Sequence, residues 1–423
     1  MNISETKQKI SSGYFDSTFG MLYTDVSVAK SRYIKACDEF EKLYGDRDNI
    51  RLFSAPGRTE IGGNHTDHQH GKVLAGSVDL DVIAVVSGNE SNIIRIKSEG
   101  FPMDEIDATD ICIHKEETEK AASLIRGVCA AFKKGGYNVG GFDAYTTSNV
   151  LKGSGLSSSA AFEVLVANII NGIYNSSGVD AVTIAKYSQF AEREYFGKPC
   201  GLLDQMASSV GGFTYADFNS PANPIIEKID LDLSKSGYTL CVVDTGGNHA
   251  DLTQDYADIT IECKKISNEL GVDFLRDADE KKFYGKMSEL RKSCGDRAVL
   301  RAFHFFNENN RVSYQREALK AGDFKKFFEF VNASGESSYK YLQNVYSTSN
   351  TSEQGLSLAL ALTKEFIGED GACRVHGGGF AGTIQCYIKN EQLADYKQMI
   401  EQVFGNGSCV TLKIRSVGGY EIK

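Results

Sequence analysis

The chain of 423 residues carries little that would punctuate or cross-link it. It has only five prolines, no low-complexity linker and no internal repeat, so repeat architectures are set aside and domain boundaries must be sought in hydrophobic pattern. No apolar run approaches the roughly 20 residues of a membrane span. The opening stretch MNISETKQKISSGYF lacks the apolar core of a secretory signal. The ten cysteines are scattered without a C-x-x-C pair, which argues against a disulfide frame or a zinc ribbon and fits reduced thiols in a cytoplasmic protein. There is no long Lys/Arg run, and the net charge of −10 disfavours nucleic acid or an anionic membrane as partner. An apolar content of 41% and a charged content of 24% are those of an ordinary soluble globular protein, long enough for two domains.

What is present is a glycine–serine turn between a strand and a helix. Phe142–Asn149 (FDAYTTSN) is aromatic and Thr-rich and reads as a strand. Leu151–Ala161 (LKGSGLSSSAA) follows, and then Phe162, Leu165, Ile169 and Ile173 recur at helical spacing. The unpaired N–H groups and positive dipole end of such a helix face the loop, and glycines at 153 and 155 let the backbone approach an oxyanion. Serine hydroxyls can cap the helix, and one of them can ligate Mg²⁺. The arrangement suits a nucleotide phosphate, although a turn with an N-cap has the same composition. It is neither G-x-x-x-x-G-K-[ST] nor G-x-G-x-x-G.

Two further segments are glycine-rich. Ala55–Asp67 (APGRTEIGGNHTD) continues as HQHG to Gly71 and packs Arg58, Asn64, His65, Asp67 and His68 among tight turns. Such density of polar side chains suits a polyhydroxylated ligand, or else a solvated surface loop. Arg374–Gly382 (RVHGGGFAG) places three glycines before a strand, again permitting close approach to phosphates. Elsewhere a helix is expected over Val26–Leu43. Strands are expected at Arg51–Ala55, Val82–Val86, Ile93–Lys97, Tyr238–Asp244 and Val410–Ile422. Further helices are expected over Ala181–Phe196, from residue 250 to Glu269, and through the charged region Asp277–Phe330. The mixture points to an α+β fold divided near residue 205 into an N-terminal domain, 1–205, and a C-terminal domain, 206–423.

Taken together and in this order, the segments resemble the GHMP family of small-molecule kinases, and within it the galactokinases. That pattern of P-G-R, G-x-G-L-S-S-S-A and a glycine triplet stands here as Pro56-Gly57-Arg58, Gly153–Ala160 and Gly377-Gly378-Gly379. His65-Thr66-Asp67 and Ala191–Gln205 (AEREYFGKPCGLLDQ) are similar to galactokinase runs in particular. The resemblance covers the chain from about Phe40 onward. It implies two α+β domains with the active site in the cleft between them, and ATP- and Mg²⁺-dependent phosphorylation of a small sugar by a monomer or small homo-oligomer. It further implies Asp204 as catalytic aspartate and Arg58 as catalytic arginine. ATP would be held by Gly153, Ser154, Gly155, Leu156, Ser157, Ser158, Ser159, Gly378 and Gly379, and the metal by Ser158 and Glu192. The sugar would be held by Asn64, His65, Asp67, Gly201 and Tyr256.

The chain also departs from the family's I-G-E-H-T-D-Y, reading Ile61-Gly62-Gly63-Asn64-His65-Thr66-Asp67-His68. The acidic residue the family uses at the sugar's O6 is Asn64, and the tyrosine is His68. Glutamate only accepts hydrogen bonds, whereas asparagine also donates. The galacturonate kinases of the same family share the D-H-Q of Asp67-His68-Gln69, so galacturonate competes with galactose as the expected substrate. Near Asn248, His249 and Asp258 the pattern departs from the common basic residues as well. Two rivals stand outside this reading. One is a zinc hydrolase built on His65, Asp67, His68 and His70; the other is a non-catalytic sugar sensor. Retention of Asp204, Arg58 and Ser157–Ser159 favours an enzyme over the sensor. Cys200 is expected to be a packed side chain and Asp277–Lys292 a solvated helix face.

Overall fold

The computed structural model describes residues 1–150, 155–247 and 252–423. Two sheets organise them. The strands are β1 (Arg51–Gly62), β2 (Lys72–Gly88), β3 (Ile93–Ser98), β4 (Met103–Asp107), β5 (Phe142–Ser148), β6 (Phe213–Asp217), β7 (Ile225–Ile229), β8 (Tyr238–Asp244), β9 (Ala372–His376), β10 (Thr383–Lys389), β11 (Cys409–Leu412) and β12 (Tyr420–Ile422). The first sheet has eight strands in the order β12-β1-β2-β5-β3-β4, with β6 paired to the beginning of β2 and β7 to β6. Its one parallel pair is β3–β5. The second sheet is antiparallel, in the order β11-β8-β10-β9. The fold is α+β, but the expected boundary at residue 205 does not divide the sheets. Strand β6, buried along its whole length, pairs onto β2 and carries β7 on its other edge, and β12 closes the edge of β1 from the far end of the chain.

The hydrophobic pattern places the helices well. Ser158–Asn175 buries Val164, Leu165, Ile169 and Ile170 completely against β1 and β2, each such side chain contributing about 1.5–3 kcal/mol. The helix Val26–Tyr44 is capped by Asp25, whose carboxylate accepts from the N–H groups of Ser27 and Val28. The two helices before it, Ile3–Ser12 and Asp16–Leu22, are short and polar enough to escape a periodicity reading. The first is fixed by a capping box of Asn2 and Glu5. Together these three cover the outer face of the first sheet, packing Phe15, Phe19, Tyr33 and Phe40 with Leu52, Ile83 and Val85. The charged region after Asp277 forms the helices Glu280–Gly285, Met287–Cys294, Asp296–Ala321 and Phe324–Ser337.

Three expectations need correction. The strand expected to end at Ala55 runs to Gly62, because register shifts between Pro56 and Arg58 and between Glu60 and Gly62 carry the ladder past the glycines as bulges. Val410–Ile422 is not one strand: β11 lies in the second sheet and β12 in the first, with the chain crossing between them. The helix Ala181–Phe190 ends its α-pattern at Ala191 and continues to Phe196 as a wider, π-type turn. That widening turns Glu192 inward, where it is buried.

Candidate active site

The bulge in β1 aims Arg58 at the start of the helix Ser158–Asn175. The Arg58 N–H donates to the Leu156 carbonyl at 3.0 Å. A Cβ on Gly57 would stand 2.8 Å from that same oxygen, so only glycine lets strand and turn meet this closely. Gly155 has φ +69° and Ser157 is left-handed at φ 59°, so the turn reverses sharply before the helix begins. Leu156 is buried beneath it. The expected phosphate contacts Gly153 and Ser154 lie outside the described residues, as do Asn248 and His249.

Three side chains meet at this turn. Arg58 Nε donates to Asp204 Oδ1 at 2.7 Å, and another arm of the guanidinium donates to the Gly155 carbonyl. Ser157 does not cap its helix; its hydroxyl donates to Asp204 Oδ2. Asp204 stands in the first turn of the helix Leu203–Val210 with 35% of its side chain open. Burial raises its pKa, but the Arg58 charge and the bonds from Arg58 and Ser157 outweigh this and hold the carboxyl below the usual aspartate value. It is an ionised carboxylate at neutral pH, clamped on one side and open on the other.

Asp67 approaches from the opposite wall. Its Oδ2 lies 2.1 Å from where a Cβ on Gly201 would be, so this glycine is a close-approach position. Burial raises the Asp67 pKa, the His65 imidazole lowers it and Asp204 raises it further. The two aspartates therefore face one space. His65, left-handed at φ 55°, bonds the Gly378 carbonyl through Nε2 at 2.9 Å. Tyr256 donates to the Gly379 carbonyl at 2.8 Å, with its ring 2.7 Å from a Cβ position on Gly378. Gly377 lies 3.8 Å from the Gly155 Cα, measured from its Cβ position. The three glycine-rich segments, far apart in sequence, thus converge.

Asn64 does not stand where it was expected. It is fully buried, and its amide is consumed within the protein: it donates to Glu60 Oε1 at 2.9 Å and to the Gly377 carbonyl at 2.7 Å. Its Oδ1 accepts from Ser338 at 3.1 Å and Asn344 at 2.8 Å. Four bonds are all a primary amide offers to two donors and two acceptors of this kind, leaving none for a sugar hydroxyl. Asn64 ties the H-T-D loop to the glycine triplet instead. His68 is likewise no cation: burial, then His65 and His304, push its pKa down to about 3.

The comparisons agree with the geometry. Residues 38–88 match the galactokinase galactose-binding signature, and residues 123–212 match the GHMP kinases N terminal domain. The galactokinase of Thermotoga petrophila is 30% identical over 352 residues, covering 83% of this chain and 93% of the relative. That of Glaesserella parasuis is 28% identical over 376 residues, covering 86% and 91%. The chain belongs to the galactokinase family. Among solved structures, Lactococcus lactis galactokinase complexed with galactose superimposes with a TM-score of 0.76 at 24% identity, covering 90% of this chain and 98% of that one. Methanococcus jannaschii mevalonate kinase gives 0.61 at 15%, covering 87% and 99%. Both share the fold, and the family makes the chain a phosphotransferase.

Of the serines in the turn, Ser159 is the one bonded to Glu192, its hydroxyl donating to Oε1 at 3.2 Å; Ser158 and Ser159 both line a neighbouring cavity. That cavity of about 950 Å³ is walled by Val82, Phe101, Leu124, Val150 and Phe162, with Ser158 and Ser159 at its inner end. Sequence reasoning missed Lys198, whose Nζ lies 3.0 Å from Glu192 Oε1. A lysine between Gly197 and Pro199 in a run already singled out was the available signal. It also missed Asn344, which lies in a stretch without pattern, and the buried Arg374–Glu60 pair at 2.8 Å. The zinc rival loses its ligands: His70 stacks on Phe274 with centroids 3.6 Å apart. Among the described residues no three His, Cys, Asp or Glu side chains are grouped to hold a metal. No helix among the described residues is long and apolar enough to cross a membrane.

Proposed function

We propose that the protein transfers the γ-phosphoryl group of ATP to the anomeric hydroxyl of galactose, giving galactose 1-phosphate and ADP. The observation that carries this is the placement of Asp204, clamped by Arg58 and Ser157 at the phosphate turn and facing Asp67 across the space beside Gly201. The cavity beside Ser158 and Ser159 has the volume and apolar walls for a nucleoside, and its inner end leads to the turn that would cradle the phosphates. Asp67, His65 and the Gly201 backbone would meet sugar hydroxyls, with Tyr256 beside them. Gly378 and Gly379 would flank the nucleotide while their carbonyls brace His65 and Tyr256.

In the transfer the anomeric oxygen forms the new P–O bond, the bond from the γ-phosphorus to the bridging oxygen of ADP breaks, and the hydroxyl proton leaves. Asp204 accepts or orients that proton, and its depressed pKa keeps it ionised for the task. Arg58 holds the carboxylate and adds positive charge near the transferring group, and Lys198, paired with Glu192, adds a second positive charge felt at Asp204. The Glu192 carboxylate and the Ser159 hydroxyl are hard oxygen donors of the kind Mg²⁺ takes alongside phosphates and water. Bound Mg²⁺ supplies charge neutralisation on the phosphates.

A second reading, galacturonate, is favoured by one observation: Asn64 offers neither a carboxylate nor a free amide to the C6 end of the sugar. ATP consumption with Mg²⁺ and a panel of galactose, galacturonate, glucose, N-acetylgalactosamine and arabinose separates the cases. Highest kcat/KM on galactose upholds the proposal, preference for galacturonate replaces its substrate, and no turnover of any sugar overturns it.

A further inference from the structure

The three helices of residues 1–44 lie almost wholly outside the matched galactokinase signature, which begins at residue 38. They are not a mere cover. Arg32, on the helix Val26–Tyr44, reaches the point where β2 and β5 come together. One guanidinium arm pairs with the buried Asp81 carboxylate, while the other donates at 2.9 Å to each of the Asp81 and Thr147 carbonyls. Asp81 faces Pro56 across the ladder, immediately before the bulge that aims Arg58. Its N–H donates at 2.6 Å to the side chain of Asn149, whose own N–H returns a bond at 3.1 Å. Asn149 walls the cavity, and the chain runs from it through Val150 into the phosphate turn. One turn further along the same helix, Lys35 pairs at 2.8 Å with Glu99, another wall residue, which also accepts from the Thr147 hydroxyl at 2.5 Å.

We infer that Arg32 is a positioning residue for the nucleotide: through Arg32 and Lys35 this helical layer clamps the strand ends that carry the phosphate turn and wall the base cavity. Arg32 joins three acceptors on two strands in one planar fork, which a lysine, a single point charge, cannot reproduce. The bonds of Arg32 and Lys35 reach Asp81, Thr147 and Glu99 and none of the sugar-wall residues; there Gly201 lies against Asp67, and His65 and Tyr256 are bonded to the glycine triplet. The clamp therefore acts on one substrate only. Asp81 keeps Arg415, Tyr23 and Ser54 as partners when Arg32 is removed, so the core pairing survives.

The inference rests on reading that cavity as the nucleotide's, and the experiment keeps the two apart. Steady-state kinetics of wild type, Arg32→Met, Arg32→Lys and Lys35→Met are measured with ATP and galactose varied separately, alongside calorimetric binding of ATP alone. Arg32→Met is expected to raise the KM and Kd for ATP about tenfold or more, with galactose KM within about twofold. Arg32→Lys should recover only part of the loss, and the exposed Lys35→Met, which does not threaten folding, should show a rise of about two- to fivefold. Both KM values rising together, or ATP KM and Kd unchanged in the folded variants, overturns the clamp. If Arg32→Met does not fold, an unchanged ATP Kd in Lys35→Met overturns it alone. Wild-type protein that binds ATP but turns over no galactose overturns the substrate reading, and the ATP Kd series still decides the clamp.

Discussion

Replacing Asp204 by asparagine is the sharpest perturbation of the proposed chemistry. The carboxamide keeps the shape and can still accept from Ser157. It loses the charge that pairs with Arg58 at 2.7 Å and the ability to take a proton from the sugar hydroxyl. Positioned general bases contribute typically about 10²–10⁴-fold. Arg58 would also lose its anchor, although the Gly155 carbonyl still holds one arm. A fall in kcat of about 10³-fold or more is expected, equivalent to about 4 kcal/mol of transition-state stabilisation at 1.36 kcal/mol per tenfold. The cavity beside Ser158 is built from other strands, so ATP affinity should stay within about threefold. Coupled ADP release gives kcat, calorimetry gives the ATP affinity, and a melting curve checks the fold. An Asp204→Asn protein that is folded and turns over within tenfold of wild type would refute the assignment.

Three other outcomes follow from particular contacts. Gly201→Ala places a Cβ 2.1 Å from Asp67 Oδ2, so the carboxylate must move; the sugar KM should rise about tenfold or more with ATP KM unchanged, read by the same assay. Asn64→Asp sets a second carboxylate against buried Glu60 and removes a donor from the Gly377 carbonyl. It should cost about 3 kcal/mol or more of stability in denaturant unfolding, with or without sugar present, whereas a variant of wild-type stability would show that Asn64 is no tie. His304 is buried between Ser337 and the Asn64 carbonyl, and burial above all lowers its pKa to about 4. The unfolded chain then binds more protons than the folded one between about pH 6.5 and 4, so stability falls as pH drops through that window. His304 alone should cost about 2 kcal/mol between neutrality and pH 5, and His304→Gln should flatten the pH dependence of the melting temperature.

The strand–turn–helix of the phosphate site was legible because two periodicities meet there, and β5 and the helix Ser158–Asn175 fall where the sequence places them. Arg58, Asp67, Gly201 and Asp204 were legible only through the order of motifs, since no local pattern shows that residues 58, 67 and 201–204 share one space. The role of Asn64 was not legible at all. A polar residue in a loop among glycines reads as a ligand contact, and only Ser338, Asn344 and Gly377, more than 270 positions away, reveal it as a tie. Nor could the bond from Ser159 to Glu192 be foreseen, because it depends on the widened turn that brings Glu192 inward. The first helix, Ile3–Ser12, escaped for a related reason: the capping box of Asn2 and Glu5, rather than a strong apolar stripe, sets where it begins.

The most direct test of the central claim is the position of the phosphate on the product. Purified protein, ATP, Mg²⁺ and galactose are allowed to react, and the sugar phosphate is read by phosphorus–proton correlation in NMR. Coupling of phosphorus to the anomeric proton, with ADP released in equal amount, is the predicted result. Phosphate on any other carbon, or ADP released without a sugar phosphate, would contradict the placement of Asp204 at the anomeric hydroxyl.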